Sequence, residues 1–309
     1  MHRRNTHFII NIAIILSLVL SSFAMAAAAP GAEAYAAGGK SVKYIAHRGL
    51  SAKAPENSLA AFKLAAANPH FYGVEFDIWE STKEPKTKTV TETAVAEDGT
   101  EQTVTKTVEN EPLLLVMHDE NIKRTCGVSK NIHKITRKNL SKYTITKGKN
   151  VSKYRGQKIP TLEQALDTIY TNSKGAIPVI ELKERLSSRA LRYMLLCLDG
   201  RKAVVISFSF KAVADTEKMA RSMGISGNIQ TMYLRQKLSS KKYSSTIRKM
   251  KAAGIDCISL NYKVVSKKTV KKFHKAKLQV CTWTLPNKKT ARRYRKMGAD
   301  YITANGKVY

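Results

Sequence analysis

The stretch KYIAHRGLSAKAPENSLAAFKLAAA, residues 43–67, shows the unit from which most of the chain is built. A short apolar run ends at His47 and Arg48, and a polar loop follows it. An amphipathic segment then begins at Asn57 or Ser58, either of which can cap a helix. This order of strand, loop and helix predicts a βα unit whose strand ends on an imidazole and a guanidinium.

Runs rich in β-branched residues alternate with amphipathic stretches along the rest of the chain, which is typical of repeated βα units. The predicted strands are 43–47, 73–78, 177–182, 203–208, 227–234, 255–261, 278–284 and 299–303. The predicted helices are 57–67, 161–171, 187–198, 210–222, 241–252, 267–275 and 288–297. Thr161 and Gln164 have the spacing of a capping box for the second helix. Eight parallel strands with helices between them predict an α/β fold, a TIM-type (β/α)8 barrel whose final helix is lacking.

The segment from about residue 80 to residue 160 does not follow this alternation. Thr alternates with apolar or charged residues on both sides of Ala96-Glu97-Asp98-Gly99, and Asp-Gly between two alternating runs predicts a β-hairpin. We place the return strand in PLLLVMHDE, 112–120, which brings His118 back to the level of the second barrel strand. Residues 119–160 then form an irregular basic excursion. We expect this insertion after the second strand to border the functional site.

The N-terminus has the features of a secretory signal peptide. A basic start precedes the apolar stretch Phe8 to Leu20, and A-x-A sites follow at residues 24–26 and 34–36. A permanent membrane anchor is the alternative, but this stretch is shorter than the roughly 20 residues that a membrane span needs. We expect residues 1–36 to be a cleaved signal peptide and residues 37–309 to be one barrel domain. The mature protein is then secreted or associated with the cell envelope.

The net charge is extreme, because 54 Lys and Arg residues face only 23 Asp and Glu residues, which gives +31 at pH 7. Such a charge favours polyanionic surroundings, whether nucleic acid, anionic lipid or a phosphate-rich cell envelope. Export argues against nucleic acid. We therefore expect an anionic cell-wall polymer or a membrane surface as partner, and no nucleic acid.

Carboxylates gather at the ends of two predicted strands. Side chains two residues apart on a strand share a face, so Glu75 projects with Asp77, and Glu181 projects with Lys183. Three carboxylates in one barrel mouth repel each other unless a cation lies between them. Oxygen ligands suit Mg²⁺ or Ca²⁺, so the sequence predicts a site for one divalent cation of this kind.

Basic side chains reach the same end of the predicted barrel, where barrel enzymes carry their active sites. His47 and Arg48 end the first strand, and Lys183 ends the third. A cation together with Arg48 and Lys183 forms a positive pocket suited to a phosphate. His47 and His118 can then serve as general base and general acid.

Eight short motifs occur in order along the chain: HRG at 47–49, PENS at 55–58, EFD at 75–77, HD at 118–119, PTLEQAL at 160–166, IELK at 180–183, ISF at 206–208 and WT at 283–284. In these motifs and their order, the chain resembles the glycerophosphodiester phosphodiesterases. The resemblance covers nearly all of residues 43–303. It implies a metal-dependent phosphoric diester hydrolase on a TIM barrel, which converts glycerophosphodiesters to glycerol phosphate and an alcohol.

The resemblance also implies roles for individual residues. The cation ligands are then Glu75, Asp77 and Glu181. His47 and His118 do the acid and base work, which leaves open which of them is the acid, and we assign that role to His118. Arg48 and Lys183 contact the phosphate, and Trp283 packs against the glycerol. The nucleophile is either water or the glycerol 2-hydroxyl, and the resemblance favours hydroxyl attack through a cyclic phosphate.

The chain departs from the family pattern in three places. The hairpin is longer than usual, Pro286 is an extra residue before Asn287, and TAN at 303–305 replaces a typical Thr-Asp. These departures concern substrate selection and barrel closure more than the reaction. Head groups of glycerophospholipids, glycerol-phosphate polymers and lysophospholipids all stay open as substrates. The alternative function is a catalytically silent basic barrel that binds anionic envelope polymer or lipid.

Overall fold

Eight parallel strands form a closed barrel in the computed structural model, which describes residues 42–95 and 101–309. The first elements are β1 (Lys43–Ala46), α1 (Leu59–Ala66) and β2 (Phe71–Glu80). An insertion follows with β3 (Thr87–Val95), β4 (Glu101–Glu109), β5 (Leu114–Val116), α2 (Lys123–Cys126) and α3 (Arg137–Leu140). The remaining elements are α4 (Leu162–Asn172), β6 (Ile177–Leu182), α5 (Ser188–Cys197), β7 (Ala203–Ser207), α6 (Phe210–Ser222), β8 (Ile229–Arg235), α7 (Tyr243–Ala253), β9 (Cys257–Asn261), α8 (Lys267–Lys275), β10 (Gln279–Leu285), α9 (Lys288–Met297) and β11 (Tyr301–Ala304).

The barrel strands pair in the order β1-β11-β10-β9-β8-β7-β6-β2, and pairing of β1 with β2 closes the ring. Every pair within the ring is parallel. The TIM-type fold, its eight strands and the seven helices between them are therefore confirmed. Residues 305–309, which follow β11, form no helix.

Helix caps agree with the sequence signals. Ser58 Oγ accepts a hydrogen bond from the backbone N–H of Ala61, so Ser58 is the cap of α1 and Asn57 is free for another role. Thr161 and Gln164 form the predicted capping box at the start of α4. Both caps satisfy backbone N–H groups that have no partner within their own helix.

Side chains along each strand alternate between the barrel interior and the layer under the helices. On β6, Ile177 and Val179 belong to the interior, whereas Ile180 and Leu182 pack toward the helices. The interior is narrow at this level, because a Cβ on Gly73 of β2 would lie only 2.6 Å from Val179 Cγ2. Apolar residues fill the middle of the interior, and polar side chains on the inward face lie toward both ends of the strands.

The insertion begins with a ribbon made of β3 and β4, which pair with each other in antiparallel register from Thr87 opposite Glu109 to Val95 opposite Glu101. The predicted hairpin is thus confirmed in its strands, while the predicted turn lies outside the described residues. Strand β5 pairs antiparallel with the end of β2, so the returning segment joins the barrel strand and not the ribbon. This pairing brings His118 back to the barrel mouth.

Residues 119–160 are more ordered than the predicted irregular excursion. They contribute α2, α3 and a separate apolar cluster with members on both sides of these helices. The buried residues of this cluster are Leu113, Leu115, Met117, Ile122, Cys126, Ile132, Ile135, Ile145 and Ile159. The apolar residues of this basic segment are isolated and follow neither helix nor strand periodicity. The sequence therefore does not predict this small core.

Two other expectations concern membranes and the N-terminus. Within residues 42–95 and 101–309, no helix is both long and apolar enough to cross a membrane. The expected signal peptide, residues 1–36, lies outside the described residues.

Removing the ribbon should leave the barrel stable. The backbone N–H of Asn110 donates to the carbonyl of Lys86 at 2.8 Å, so a two-residue Asn-Gly turn can replace residues 87–109. Apart from half-buried Val90 and Val108, the ribbon side chains that the structure describes are exposed. We expect thermal denaturation followed by circular dichroism to show a melting temperature changed by less than about 4 °C.

The contrasting variant is Gly49→Ala, because Gly49 has a φ of 72° and a Cβ there would lie 2.6 Å from the carbonyl carbon of Ala61. This substitution should lower the melting temperature more than removal of the ribbon. The reverse order would show that the ribbon is part of the stable core.

Candidate active site

Three carboxylates meet at the barrel mouth. Glu75 and Asp77 lie on β2, and Glu181 lies on the neighbouring β6, directly opposite Asp77. One carboxylate oxygen from each residue lies within 4.8 Å of the other two. All three residues are buried, with exposed fractions of 1%, 1% and 8%. We call Glu75, Asp77 and Glu181 the acidic cluster.

The acidic cluster is electrostatically strained. Burial raises the pKa of Glu75 well above its ordinary value, and the charges of Asp77 and Glu181 add to the rise. Burial, followed by the charge of Asp77, raises the pKa of Glu181 to about 7. Burial acts in the same direction on Asp77, but Lys183 and Arg48 outweigh it and lower the pKa of that carboxyl. Three full negative charges are therefore costly here without further positive charge.

The donor set fits a hard divalent cation. Carboxylate oxygens are the ligands that Mg²⁺ and Ca²⁺ prefer in proteins. Glu75 Oε1 is buried and accepts no hydrogen bond from the described residues, so it lacks a partner that a cation would supply. A cation among the three carboxylates would also offset their repulsion. These properties fit either ion.

Two cationic side chains border the acidic cluster and line the adjoining cavity. Lys183 Nζ lies 2.8 Å from Glu181 Oε1 and 3.3 Å from Asp77 Oδ1. Arg48 Nε lies 3.4 Å from Asp77 Oδ2. Because both side chains also face the cavity, they can contact an anion bound there.

The loop after β1 folds back onto the acidic cluster. Arg48 has a φ of 54°, and this left-handed turn lets its backbone N–H donate to Glu75 Oε2 at 2.7 Å. Asn57, with a φ of 53°, donates from Nδ2 to Asp77 Oδ2 at 2.7 Å. The HRG and PENS motifs thus hold two of the carboxylates in place. Positive φ is costly for residues other than glycine and is often found at functional sites.

The two histidines present the same ring nitrogen to the cavity. His47 Nδ1 lies 2.7 Å from Asn305 Oδ1, and His118 Nδ1 lies 2.6 Å from Asp119 Oδ1. Both partner oxygens can only accept, so Nδ1 donates in each ring and Nε2 is left for the cavity. A carboxylate therefore orients the His118 ring, and a neutral amide orients the His47 ring. Burial, followed by the charge of Arg48, lowers the pKa of His47 to about 4.

Arg124 on α2 links the insertion to the site. Its terminal nitrogens donate to both oxygens of Glu56 at 2.6 and 3.1 Å, and its Nε donates to Asp119. Glu56 also accepts a hydrogen bond from Arg48 Nη1 at 3.0 Å. One guanidinium therefore connects the partner of His118 with the partner of Arg48. The insertion borders the site, as predicted.

An apolar wall completes a cavity of about 190 Å³. The rings of Phe208 and Trp283 meet edge to face with centroids 5.5 Å apart, beside Ile206 and Met232. Trp283 Nε1 is buried and has no hydrogen-bond partner among the described residues. A hydroxyl of a bound ligand can supply that partner. The cavity thus has a charged side that suits a phosphate group and an apolar side that suits the carbon atoms of a ligand.

All eight residues predicted for the site come together: seven line the cavity, and Asp77 lies beside them in the acidic cluster. Their chemical roles stay predictions. Six further residues of the site were not predicted, namely Glu56, Asn57, Asp119, Arg124, Phe208 and Asn305. All except Arg124 lie within segments singled out in the sequence, which is the signal that could have found them.

Comparison with known proteins gives consistent similarities. The family model described as "Glycerophosphoryl diester phosphodiesterase family" matches residues 110–305. The Bacillus subtilis (strain 168) protein YhdW, provisionally named a glycerophosphodiester phosphodiesterase, is 24% identical over 266 residues, which are 84% of this chain and 93% of that protein. An Oleispira antarctica phosphodiesterase, solved in complex with the product sn-glycerol-3-phosphate, has a TM-score of 0.62 at 19% identity. The match covers 85% of this chain and 92% of the Oleispira chain. A glycerophosphodiester phosphodiesterase from Thermotoga maritima has a TM-score of 0.58 at 22% identity. The match covers 86% of this chain and 95% of the Thermotoga chain.

The family match begins at Asn110, directly after the ribbon. His47, Glu75 and Asp77 therefore precede the matched range, although they meet Glu181 at one barrel mouth. The long ribbon separates two parts of the same barrel in the sequence. The two solved structures share the fold across both parts.

A divalent cation should stabilise the protein through the acidic cluster. An ion present at about 100 times its dissociation constant adds about 2.7 kcal/mol to the free energy of unfolding, which raises the melting temperature by on the order of 5 °C. The substitution Glu75→Gln should abolish this increase without lowering the melting temperature measured in chelator, since it removes repulsion.

The control is Glu109→Gln, which removes an exposed carboxylate from the ribbon and should keep the full increase. Differential scanning fluorimetry with Mg²⁺, Ca²⁺ or chelator measures all three proteins. An equal increase in the parent and in the Glu75 variant would place the ion elsewhere.

Proposed function

The chain belongs to the glycerophosphoryl diester phosphodiesterase family and is thus a phosphoric diester hydrolase, and we propose that it is an exported, metal-dependent enzyme that hydrolyses glycerophosphodiesters to glycerol phosphate and an alcohol. One observation carries the proposal. A single cavity contains a buried acidic cluster, two cationic side chains and two histidines with a free ring nitrogen. Each of these components serves phosphodiester hydrolysis, because the histidines can transfer protons and the positive charges can stabilise the transition state.

The substrate is held from two sides. Arg48 and Lys183 would bind the phosphate oxygens, and Trp283 would pack against the glycerol while its Nε1 donates to a hydroxyl. The product sn-glycerol-3-phosphate bound in the Oleispira antarctica relative supports a glycerol phosphate unit in this cavity. The alcohol on the other side of the phosphate would extend toward the open mouth.

Glu75, Asp77 and Glu181 would hold Mg²⁺ or Ca²⁺. The cation supplies Lewis-acid chemistry when bound, by polarising the phosphoryl group and neutralising charge in the transition state. Arg48 and Lys183 share that task, because both already lie within 4 Å of Asp77.

The two histidines have different hydrogen-bond partners, and we assign them different roles. His47 is half-buried and bonded to an amide, and its lowered pKa keeps it neutral at pH 7, so its Nε2 can accept the proton of the attacking hydroxyl. The carboxylate of Asp119 holds His118 with its Nε2 toward the cavity, where the ring can give a proton to the leaving alkoxide. The attacking group is either water or the glycerol 2-hydroxyl. Attack by the hydroxyl expels the alcohol and forms a cyclic phosphate, which water then opens to glycerol phosphate.

The proposal also includes export and the location in which the enzyme acts. The basic start, the apolar stretch and the A-x-A sites within residues 1–36 support a cleaved signal peptide. The net charge of +31 supports work beside an anionic cell-wall polymer or membrane surface. N-terminal sequencing of protein recovered outside the cells tests the cleavage.

The silent binding barrel is not favoured. A binding protein has no need of two oriented histidines beside an acidic cluster. Turnover of glycerophosphoethanolamine that stops with chelator and resumes with Mg²⁺ or Ca²⁺ separates the two functions. Binding of anionic polymer without turnover would support the silent barrel.

The choice of leaving group tests the roles of the histidines. His118→Ala should lower turnover of glycerophosphoethanolamine by on the order of 10²-fold or more, because the alkoxide leaves without a proton. The same variant should lose about tenfold or less on the p-nitrophenyl diester of glycerol phosphate, whose leaving group needs no proton. His47→Ala should lower both rates by on the order of 10²-fold, since the base is lost in each case.

Initial rates measured by release of glycerol phosphate or p-nitrophenol give both comparisons. His70→Ala changes an exposed histidine that does not line the cavity and should leave both rates unchanged. Equal losses of His118→Ala on the two substrates would rule out its role as the acid.

A further inference from the structure

The segment from residue 257 to residue 299 contains thirteen Lys and Arg residues and no Asp or Glu. All thirteen are exposed, and none forms an ion pair with another described residue. We call them the basic wall, and they are Lys263, Lys267, Lys268, Lys271, Lys272, Lys275, Lys277, Lys288, Lys289, Arg292, Arg293, Arg295 and Lys296.

The fold places these charges side by side on the outside of the barrel. Helices α8 and α9 connect the neighbouring strands β9, β10 and β11. Val270 and Phe273 bury one face of α8, and Ala291 and Tyr294 bury one face of α9, so the charged residues face outward. Four of them, Lys289, Arg292, Arg293 and Lys296, line a shallow groove on α9.

The stability of the helices does not explain the basic wall. Lys267 and Lys268 lie in the first turn of α8, and Lys288 and Lys289 lie in the first turn of α9, where the helix dipole disfavours positive charge. Like charges four residues apart repel as well. Such pairs recur along both helices: Lys267 with Lys271, Lys268 with Lys272, Lys271 with Lys275, Lys288 with Arg292, Lys289 with Arg293 and Arg292 with Lys296. A mixed surface would give solubility without this repulsion.

The basic wall starts at the rim of the active site. In a TIM barrel each helix begins near the carboxyl end of the strand before it, and the active site lies at that end. Strand β10 carries Trp283 into the cavity, and the first turn of α9 begins five residues later at Lys288. The charges therefore run from the cavity rim along the outer side of the barrel.

The chemistry of the basic wall favours a flexible phosphate polymer. Among the described residues, the exposed large apolar side chains are Val128, Leu196 and Phe208, and none lies on α8 or α9 to enter a lipid layer. Phe273 and Tyr294 are buried, so α8 and α9 offer no exposed Phe or Tyr ring to a nucleic-acid base. A chain of repeated phosphodiesters needs only spaced cations.

We infer that the basic wall binds a chain of repeating glycerol phosphodiesters and holds it while a phosphodiester of that chain enters the cavity. This inference rests on the proposed function, because the polymer contains the bond that the active site would cut. The basic wall then increases the affinity for the polymer and does not change the rate of the chemical step.

Neutralising one helix of the wall tests the inference. The full-length variant Lys267→Gln, Lys268→Gln, Lys271→Gln, Lys272→Gln should bind fluorescent poly(glycerol phosphate) about tenfold or more weakly at low salt, measured by anisotropy. The dependence of log affinity on log salt should become shallower by roughly 0.7 per lost phosphate contact. Glutamine has a helix propensity close to that of lysine, so the fold should persist.

The matched control removes the same number of charges elsewhere, through Lys63→Gln, Lys174→Gln, Arg192→Gln and Lys218→Gln. These four residues are exposed and lie around α1, α4, α5 and α6. In steady-state assays the wall variant should raise KM for the polymer about tenfold with little change in kcat. Both variants should hydrolyse glycerophosphoethanolamine within about twofold of the parent.

The possible outcomes are distinct. Equal polymer affinity of the parent and the wall variant would overturn the inference, as would an equal loss in the control variant. Wall-dependent binding to vesicles of anionic lipid without binding to the polymer would also overturn it and indicate a membrane surface. Absence of hydrolysis of the small substrate by the parent would contradict the proposed function alone, because the anisotropy measurement needs no turnover.

Discussion

Mutual repulsion among Glu75, Asp77 and Glu181 is the constraint on which the active site depends. The parallel pairing of β2 with β6 sets Asp77 opposite Glu181, and the two-residue period of the strand adds Glu75 on the same face. Burial leaves these carboxylates without the water that would otherwise stabilise their charge. Positive charge must therefore come from nearby, and the structure supplies it through Lys183 and Arg48. Glu75 Oε1 accepts no hydrogen bond from the part of the chain that the structure describes. A divalent cation would complete this balance.

The surrounding loops are arranged to keep that balance. The turn after β1 uses the backbone of Arg48 to hold Glu75, and Asn57 holds Asp77. On the other side of the cavity, Arg124 joins Glu56 to Asp119 and so links the partner of Arg48 with the partner of His118. This bridge explains why the insertion is more than a surface excursion. Its small apolar core fixes α2, and α2 fixes the guanidinium.

Much of this arrangement could be predicted from the sequence because it follows from periodicity. Alternation along β2 and β6 predicts that Glu75, Asp77 and Glu181 share a face, and the βα rhythm predicts that the ends of the strands meet. The role of Arg124 could not be predicted in this way, because it depends on how residues 119–160 fold around a core without regular spacing. The same holds for Asn305, whose contact with His47 depends on the register between β1 and β11. The family match begins only after the ribbon, whereas the motifs of the first two strands precede it.

The central claim is that one divalent cation lies among the three carboxylates. A crystal structure of the full-length protein grown with Ca²⁺, with anomalous differences collected at a long wavelength, tests it most directly. We expect one strong peak with oxygen atoms of Glu75, Asp77 and Glu181 at about 2.3–2.6 Å, the range of calcium ligands in proteins. Ordered carboxylates with no peak between them at saturating Ca²⁺ and again at saturating Mn²⁺, or a peak held by other residues, would contradict the claim.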